Sequence, residues 1–203
     1  MNFAENLLYP RCVIVEDGPA VICATENSRQ TVSWRQLRER VRACARAMRA
    51  LGVRPGDRIA GYVGNHTNAL VAMLATTANG AIWTGVSPDT GVHAVLERLR
   101  QVEPALLFAD NAVVYNGKTH DVQEKLAEVI EALPTLRAAV VFPTVESVGI
   151  RLESSTAFQG KRWSYPSFLE TLDDKRKLDF IQLEPDTPVY ILYSSGTTGS
   201  EPL

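Results

Sequence analysis

The residues with the clearest chemical potential form a short segment that is rich in hydroxyl groups and glycine. Four hydroxyl side chains and two glycines occupy its six consecutive positions, which are Ser194, Ser195, Gly196, Thr197, Thr198 and Gly199. Glycine lets backbone N–H groups turn towards an anion, and hydroxyl groups add donors with little bulk. Directly before the segment, the apolar run 189–193 predicts a buried strand. A loop of donors at the carboxyl end of a strand is typical of a phosphate-binding site.

Other loops of similar composition fit this segment less well. A Walker A loop requires a Gly-Lys-Ser/Thr ending, and none follows Gly199. A nucleophile elbow has the pattern Gly-x-Ser-x-Gly, but Tyr193 stands where the first glycine belongs. The dinucleotide pattern Gly-x-Gly-x-x-Gly does not occur in the chain. A Ser/Thr/Gly-rich hairpin turn is the remaining alternative, and the preceding strand and the density of donors favour anion binding over it.

The histidines show no spacing that is typical of a metal site. His66, His93 and His120 are never three or four residues apart, and no cysteine or carboxylate cluster accompanies them. We therefore expect core or surface histidines and no bound metal. His66 follows Asn65 at the end of a predicted strand, a position that is compatible with a functional residue and equally with a helix cap formed by Asn65.

The cysteines indicate packing residues and free thiols. Cys44 lies on the apolar stripe of a predicted helix, and we expect it to be buried. Cys12 and Cys23 have no neighbouring base in the sequence that would make them nucleophiles. Three cysteines without a CxxC pair favour reduced thiols in an intracellular protein.

Composition and net charge indicate which classes of binding partner are expected for this chain. The chain has 203 residues and a net charge of −2, which gives no indication of a nucleic-acid or membrane-surface partner. One predicted helix carries six arginines, but they lie mostly off its apolar stripe, and a solvated outer face explains them better than nucleic-acid binding does. The first residues lack the basic and apolar regions of a signal peptide, and no apolar window is long enough to span a membrane, so we expect neither feature. The expected location is the cytoplasm.

Short apolar runs alternate with helical periods along the chain, and this order predicts an α/β fold with a parallel-rich sheet flanked by helices. The expected strands are 20–24, 30–32, 58–63, 81–86, 105–109, 112–115, 138–142 and 189–193. The expected helices are 34–51, 67–79, about 92–101, 121–133 and 165–172. Ser33 and Gln36 form a capping box at the start of the first helix. Residues 144–165 show no period and are interpreted as a surface excursion.

A polar corner, Ser87-Pro88-Asp89, follows one of the predicted strands. It is compatible with the rim of a pocket. A turn that leads into a capped helix explains the same residues without any function.

The segment Tyr193-Ser194-Ser195-Gly196-Thr197-Thr198-Gly199 resembles the phosphate-loop signature of the adenylate-forming superfamily, which includes acyl-CoA synthetases, firefly luciferase and peptide-synthetase adenylation domains. Further stretches extend the resemblance along nearly the whole chain and are similar to the acetoacetyl-CoA synthetase group. They are Asn2-Phe3-Ala4-Glu5-Asn6-Leu7-Leu8, Gly80-Ala81-Ile82-Trp83, Ser87-Pro88-Asp89, Val114-Tyr115-Asn116-Gly117-Lys118 and Tyr190-Ile191-Leu192-Tyr193.

This resemblance implies an enzyme that joins a carboxylate to ATP, releases pyrophosphate, and transfers the acyl group from the acyl-adenylate to coenzyme A. ATP with Mg²⁺ and coenzyme A are the implied cofactor and co-substrates, and acetoacetate is the implied acid. The implied phosphate-binding residues are Ser194, Ser195, Gly196, Thr197, Thr198 and Gly199, which would hold the β- and γ-phosphates. Residues 1–203 are expected to be the N-terminal portion of such a domain, an incomplete subdomain that ends just after the phosphate loop.

The resemblance weakens after Gly199. The family pattern continues Gly-x-Pro-Lys, whereas this chain continues Ser200-Glu201-Pro202-Leu203. The other site residues of such enzymes follow the loop, so we expect the 203-residue chain to be inactive as a ligase on its own. The alternative is a non-catalytic interaction or regulatory fragment, because an open sheet needs a protein partner or else aggregates.

Overall fold

The computed structural model describes residues 1–12, 14–26, 29–151, 158, 160–170 and 177–193. Its strands are β1 Pro19–Ala24, β2 Arg29–Ser33, β3 Arg58–Tyr62, β4 Ile82–Val86, β5 Leu106–Asp110, β6 Ala112–Tyr115, β7 Lys118–Asp121, β8 Ala138–Phe142, β9 Lys161–Ser164 and β10 Tyr190–Ile191. Its helices are α1 Phe3–Leu8, α2 Trp34–Ala50, α3 Thr67–Ala78, α4 Val92–Val102, α5 Gln123–Glu131 and α6 Tyr165–Leu169.

A six-stranded parallel sheet forms the centre of the molecule, with the order β10-β4-β3-β5-β8-β9. Two antiparallel hairpins, β1-β2 and β6-β7, stand apart from this sheet. The α/β fold with a parallel sheet flanked by helices that the sequence predicts is therefore confirmed.

The sheet separates two apolar layers, because successive side chains of a strand point to opposite faces. Phe108 packs with α1, α2, α3 and α6 on one face. Its neighbours Leu107 and Ala109 pack with α4 and α5 on the other face. Both layers are buried, so the central strands are apolar throughout and not alternating.

Helix α2 begins as the sequence predicts. The Ser33 side chain accepts a hydrogen bond from the Gln36 N–H (3.3 Å), and the Gln36 side chain accepts one from the Ser33 N–H (3.0 Å). This capping box satisfies donors that the first helical turn leaves unpaired.

Two predictions about the strands are wrong. The excursion expected over 144–165 contains β9, which pairs with β8 at the edge of the main sheet. Its sequence, Lys-Arg-Trp-Ser, has no apolar run to indicate a strand. The buried strand expected over 189–193 is a two-residue edge strand, and Tyr190 and Leu192 are 49% and 77% exposed.

Candidate functional site

The carboxyl ends of the parallel strands meet at one edge of the sheet, which is where ligands bind in open α/β domains. We call this edge the carboxyl edge. The segments that leave the strands there are 63–66 after β3, 87–90 after β4, 143–148 after β8, and 192–193 after β10. Asp110 is the last residue of β5 at the same edge.

The predicted phosphate loop follows Tyr193 in the sequence, and Tyr193 lies at this edge. Residues 194–199, and therefore Ser194, Ser195, Gly196, Thr197, Thr198 and Gly199, lie outside the described residues. Tyr193 itself is held by Thr84 of β4. The Tyr193 hydroxyl donates a hydrogen bond to Thr84 Oγ1 (2.9 Å), and the Thr84 hydroxyl donates its own proton to the carbonyl of Ile191 (3.0 Å). Burial raises the pKa of Tyr193, so its phenol stays protonated and can act as this donor.

A buried carboxylate at the end of β5 joins two of the segments at the carboxyl edge. Asp110 is fully buried and accepts hydrogen bonds from the Gly64 N–H (2.7 Å), from His66 Nε2 (2.8 Å) and from the Thr144 hydroxyl (2.7 Å). These donors belong to the segments after β3 and β8, which flank β5. Three donors satisfy a carboxylate that no solvent reaches, so Asp110 braces the edge.

His66 completes this brace and begins α3. Its Nδ1 accepts a hydrogen bond from the Ala69 N–H (3.3 Å), so in the neutral ring Nε2 carries the proton that is donated to Asp110. The N-cap of α3 is therefore His66, and the expected cap by Asn65 is wrong by one residue. Both ring nitrogens of His66 are therefore engaged by groups of the protein itself.

A cleft of about 980 Å³ lies beside this brace. The β1-β2 hairpin, the start of α3 and the segment 143–147 line it, and its charged or polar walls include Glu26, Arg40, Asn68 and Glu146. The buried Asn111 holds the last segment in place: its Nδ2 donates to the carbonyls of Val145 (3.0 Å) and Val148 (2.6 Å).

The polar corner after β4 is a turn, with a hydrogen bond from the Thr90 N–H to the Ser87 carbonyl (3.0 Å). The hydroxyl of Tyr62 lies near the carbonyls of Pro88 (3.1 Å) and Thr90 (2.9 Å), and burial is the main cause of its raised pKa. The N-cap of α4 is Gly91, which has no side chain to donate or accept. The turn is confirmed, and the expected side-chain cap is absent from this helix.

The remaining candidates lie apart from the carboxyl edge or in the core. His93 is exposed on α4, and His120 is exposed on β7. Cys44 is fully buried as predicted, and burial raises its pKa to about 12. Cys12 is exposed and Cys23 is half-buried, both as free thiols.

The described residues contain no group of three or more His, Cys, Asp or Glu side chains that could hold a metal ion. Within the same part of the chain, no helix is both long and apolar enough to cross a membrane.

Sequence reasoning missed Thr84 and Arg98 as residues of this site. The guanidinium of Arg98, on α4, lies 5.5 Å from the centroid of the Tyr193 ring. A hydroxyl residue within an apolar strand was the available signal for Thr84. No sequence signal connects Arg98 to a residue so far along the chain.

The fold and the carboxyl edge define a three-layer α/β domain whose candidate site lies where the parallel strands end. Residues 14–201 match the family of AMP-binding enzymes, and the chain belongs to this family. The resemblance to the adenylate-forming superfamily is thereby confirmed.

Two curated proteins and one solved structure show which members of the family this chain is similar to. The chain is 54% identical over 202 residues to a malonamoyl-CoA synthetase of Penicillium aethiopicum, and 42% identical over 205 residues to an acetoacetyl-CoA synthetase of Danio rerio. The structure of an acetoacetyl-CoA synthetase from Streptomyces lividans matches with a TM-score of 0.84 and 38% identity. Each match covers 98% of this chain, which spans 28%, 30% and 29% of these three relatives.

Proposed function

We propose that this chain provides the phosphate-binding part of an acid–thiol ligase that forms an acyl-CoA through an acyl-adenylate. In this proposal Ser194, Ser195, Gly196, Thr197, Thr198 and Gly199 bind the β- and γ-phosphates of ATP. The observation that carries the proposal is the position of Tyr193, which is anchored at the carboxyl edge immediately before these residues. Residues 1–203 act as the N-terminal portion of the AMP-binding domain.

The acid we propose is a short β-carbonyl carboxylate, with acetoacetate as the first candidate. The names of the relatives support this class, because acetoacetate and malonamate differ only by a methyl group in place of an amino group on the same carbonyl. The two acids have nearly the same shape, and only hydrogen bonding to the amino group would distinguish them.

Charge is the main barrier to the first step, because a carboxylate must approach a polyanion and pyrophosphate must leave. Donors that are already oriented towards the phosphates lower this barrier without reorganisation. Mg²⁺ would neutralise part of the phosphate charge, and coenzyme A would supply the thiol for the second step. We name no residue in the described part of the chain as a ligand of Mg²⁺ or as part of the coenzyme A site.

The isolated chain is expected to lack ligase activity, since it spans less than a third of its ligase relatives. ATP–pyrophosphate exchange with the purified 203-residue chain, assayed separately with acetoacetate and with malonamate, tests this. No exchange is expected with either acid. Clear turnover would contradict the proposed inactivity and would identify the preferred acid directly.

Phosphate binding is tested separately by calorimetric titration with Mg·ATP, magnesium pyrophosphate and AMP. Hydrogen bonds to charged oxygens contribute about 1.5–3 kcal/mol each, whereas association costs at least about 4 kcal/mol. We therefore expect weak binding, near millimolar, of the two ligands that carry a pyrophosphate group. AMP lacks that group and serves as the control. Absence of heat from Mg·ATP at millimolar concentration would contradict the proposed phosphate site.

The residue two positions after Gly199 provides a second test. Glu201 places a negative charge close in sequence to the proposed phosphate loop. Removing it in Glu201→Gln is expected to tighten Mg·ATP binding about threefold, because like charges repel. Glu131→Gln removes an equal charge from the exposed end of α5, away from the carboxyl edge, and is the control. Equal affinity in Glu201→Gln and wild type would show that Glu201 does not face the phosphates.

A second candidate function is a non-catalytic interaction module that requires a protein partner. This function is favoured by two exposed side chains, those of Tyr190 on the edge strand β10 and of Leu192 directly after the strand. Size-exclusion chromatography with light scattering separates the two functions: a defined complex with another protein supports the module, and a well-behaved monomer opposes it. For either function, we propose a cytoplasmic location.

A further inference from the structure

Thr84 occupies a central position between the sheet and the segment that leads to the predicted phosphate loop. It lies on β4, which has β3 on one side and β10 on the other, and it is 1% exposed. Its hydroxyl accepts a hydrogen bond from Tyr193 and donates one to the carbonyl of Ile191. A single buried hydroxyl therefore holds both the end of β10 and the residue that precedes the loop.

Arg98 contacts the same tyrosine from the other direction. Its guanidinium lies 5.5 Å from the ring centroid, within the range of a cation–π contact. The Arg98 Nη1 also donates to the Ala94 carbonyl (3.0 Å) one turn earlier in α4, which restricts the side chain. The ring of Tyr193 is thus fixed by a cation from a helix, and its hydroxyl is fixed by a strand.

We propose that Thr84 and Arg98 are positioning residues for the nucleotide: they fix Tyr193 so that the donors of residues 194–199 begin from a constant point at the carboxyl edge. This inference rests on the proposed phosphate-binding function. Neither residue touches the phosphates in this proposal. Each acts through Tyr193, and orientation of donors before binding reduces the entropic cost of binding.

The decisive variants change the Thr84 hydroxyl while they keep the shape of the side chain. Thr84→Val removes both hydrogen bonds, whereas Thr84→Ser keeps them. Thr76→Val is the matched control, because Thr76 is also fully buried and its hydroxyl bonds the Ala72 carbonyl (2.8 Å) within α3. Each protein is titrated with Mg·ATP, unfolded in urea, and analysed by amide hydrogen exchange of the peptide that covers residues 189–193.

We expect Thr84→Val to bind Mg·ATP about fivefold more weakly than wild type, because Tyr193 loses its anchor on β4 and ordering it then costs part of the binding free energy. Thr84→Ser is expected to restore the affinity, and Thr76→Val to leave it unchanged. Exchange at residues 189–193 should accelerate in Thr84→Val alone. Arg98→Met should weaken binding in the same way, and Arg98→Lys, which retains a cation over the ring, should weaken it less.

Two results would overturn the proposal. In the first, Thr84→Val binds and exchanges like wild type. In the second, Thr84→Val and Thr76→Val weaken binding equally, which indicates general destabilisation. If wild type itself fails to bind Mg·ATP, the phosphate site is contradicted, and the exchange measurement alone then decides whether Thr84 anchors Tyr193.

Discussion

Asn2 is 1% exposed, although an amide side chain loses its hydration when it is buried so completely. Its Nδ2 donates to the carbonyls of Thr77 (2.9 Å), Ala78 (3.3 Å) and Ile181 (2.8 Å), and its Oδ1 accepts from the Glu5 N–H (3.1 Å). One side chain therefore caps α1, closes the end of α3 and holds the segment that leads to β10.

Asn2→Asp is expected to destabilise the fold by about 3 kcal/mol, because it removes the donors and places a buried charge against carbonyl oxygens. It retains the oxygen that caps α1, so the loss isolates the donor role. Urea unfolding measures the change. Asn65→Asp adds the same charge at an exposed position and is the control. Equal midpoints for Asn2→Asp and this control would contradict the role of Asn2.

Cys44 provides a prediction about reactivity and pH. Burial raises its pKa from the ordinary value of 9.0 to about 12, so the thiol remains neutral and unreactive in the folded protein. At about pH 8, a chromogenic disulfide reagent should label the exposed Cys12 rapidly and Cys44 only after unfolding. Cys12→Ser identifies the fast phase. Rapid labelling of Cys44 in the native protein would be inconsistent with its burial.

The raised pKa of Cys44 also predicts how the stability of the fold changes at alkaline pH. A group whose pKa is higher in the folded state stabilises the protein fully below its unfolded pKa. For Cys44 that contribution is present below pH 9 and is lost as the pH rises towards 12. Cys44→Ala should therefore show a flatter decline of stability above pH 9 than wild type.

At the scale of elements, β3 and β4 meet at a glycine that has no room for a side chain. A Cβ on Gly61 would lie 2.6 Å and 2.7 Å from two ring atoms of Trp83. Trp83 in turn packs at an angle against Phe108 in the apolar layer, with ring centroids 6.5 Å apart. The absence of a side chain at 61 thus allows an indole to lie across the strand.

Gly61→Ala is expected to cost about 1–3 kcal/mol, the usual penalty for overpacking a core, and to shift the tryptophan emission. Thermal unfolding and fluorescence measure the two effects. Gly149→Ala is the matched control, because Gly149 is exposed and a Cβ there would meet nothing within 4 Å. An unchanged melting temperature in Gly61→Ala would mean that the indole moves aside freely.

The elements differ in how well local sequence predicts them. Helix α2 carries its own start signal in Ser33 and Gln36, and its apolar stripe follows the helical period. Strand β9 has no such signal, since it becomes a strand by pairing with β8. The same is true of β7, which forms a hairpin with β6 around Asn116 and Gly117.

At the scale of the whole molecule, β10 is the exposed end of the parallel sheet. In the described part of the chain it pairs with β4 on one side only, and Leu192 beside it is 77% exposed. An unpaired edge with apolar side chains is a template for association with another strand. Every other copy of this 22.3 kDa chain in solution presents the same unpaired strand, so two copies can pair through it.

We expect the isolated chain to associate in a concentration-dependent manner, and Leu192→Lys to shift it towards the monomer. Light scattering after size exclusion measures the mass. Ile22→Lys is the control, because Ile22 is 54% exposed on the separate β1-β2 hairpin. A monomeric wild type at every concentration would contradict association through β10 and would also weaken the interaction-module function.

The family and the fold class follow from local sequence patterns alone. The motif from Tyr193 to Gly199 consists of residue types in consecutive positions, and such a pattern can be recognised without any structure. The alternation of apolar runs with helical periods likewise reports which faces are buried, because periodicity arises within each element. The same local reasoning placed Cys44 in the core correctly.

Which residues meet at the carboxyl edge depends on the packing of the whole domain. Thr84 and Tyr193 are 109 positions apart, and Asp110 takes donors from residues that lie 46 and 34 positions away. No local pattern contains these pairs. They arise because parallel strands are joined by long crossovers, which bring the ends of distant segments to one edge, and hydrogen bonds then form between whichever buried donors and acceptors are placed there.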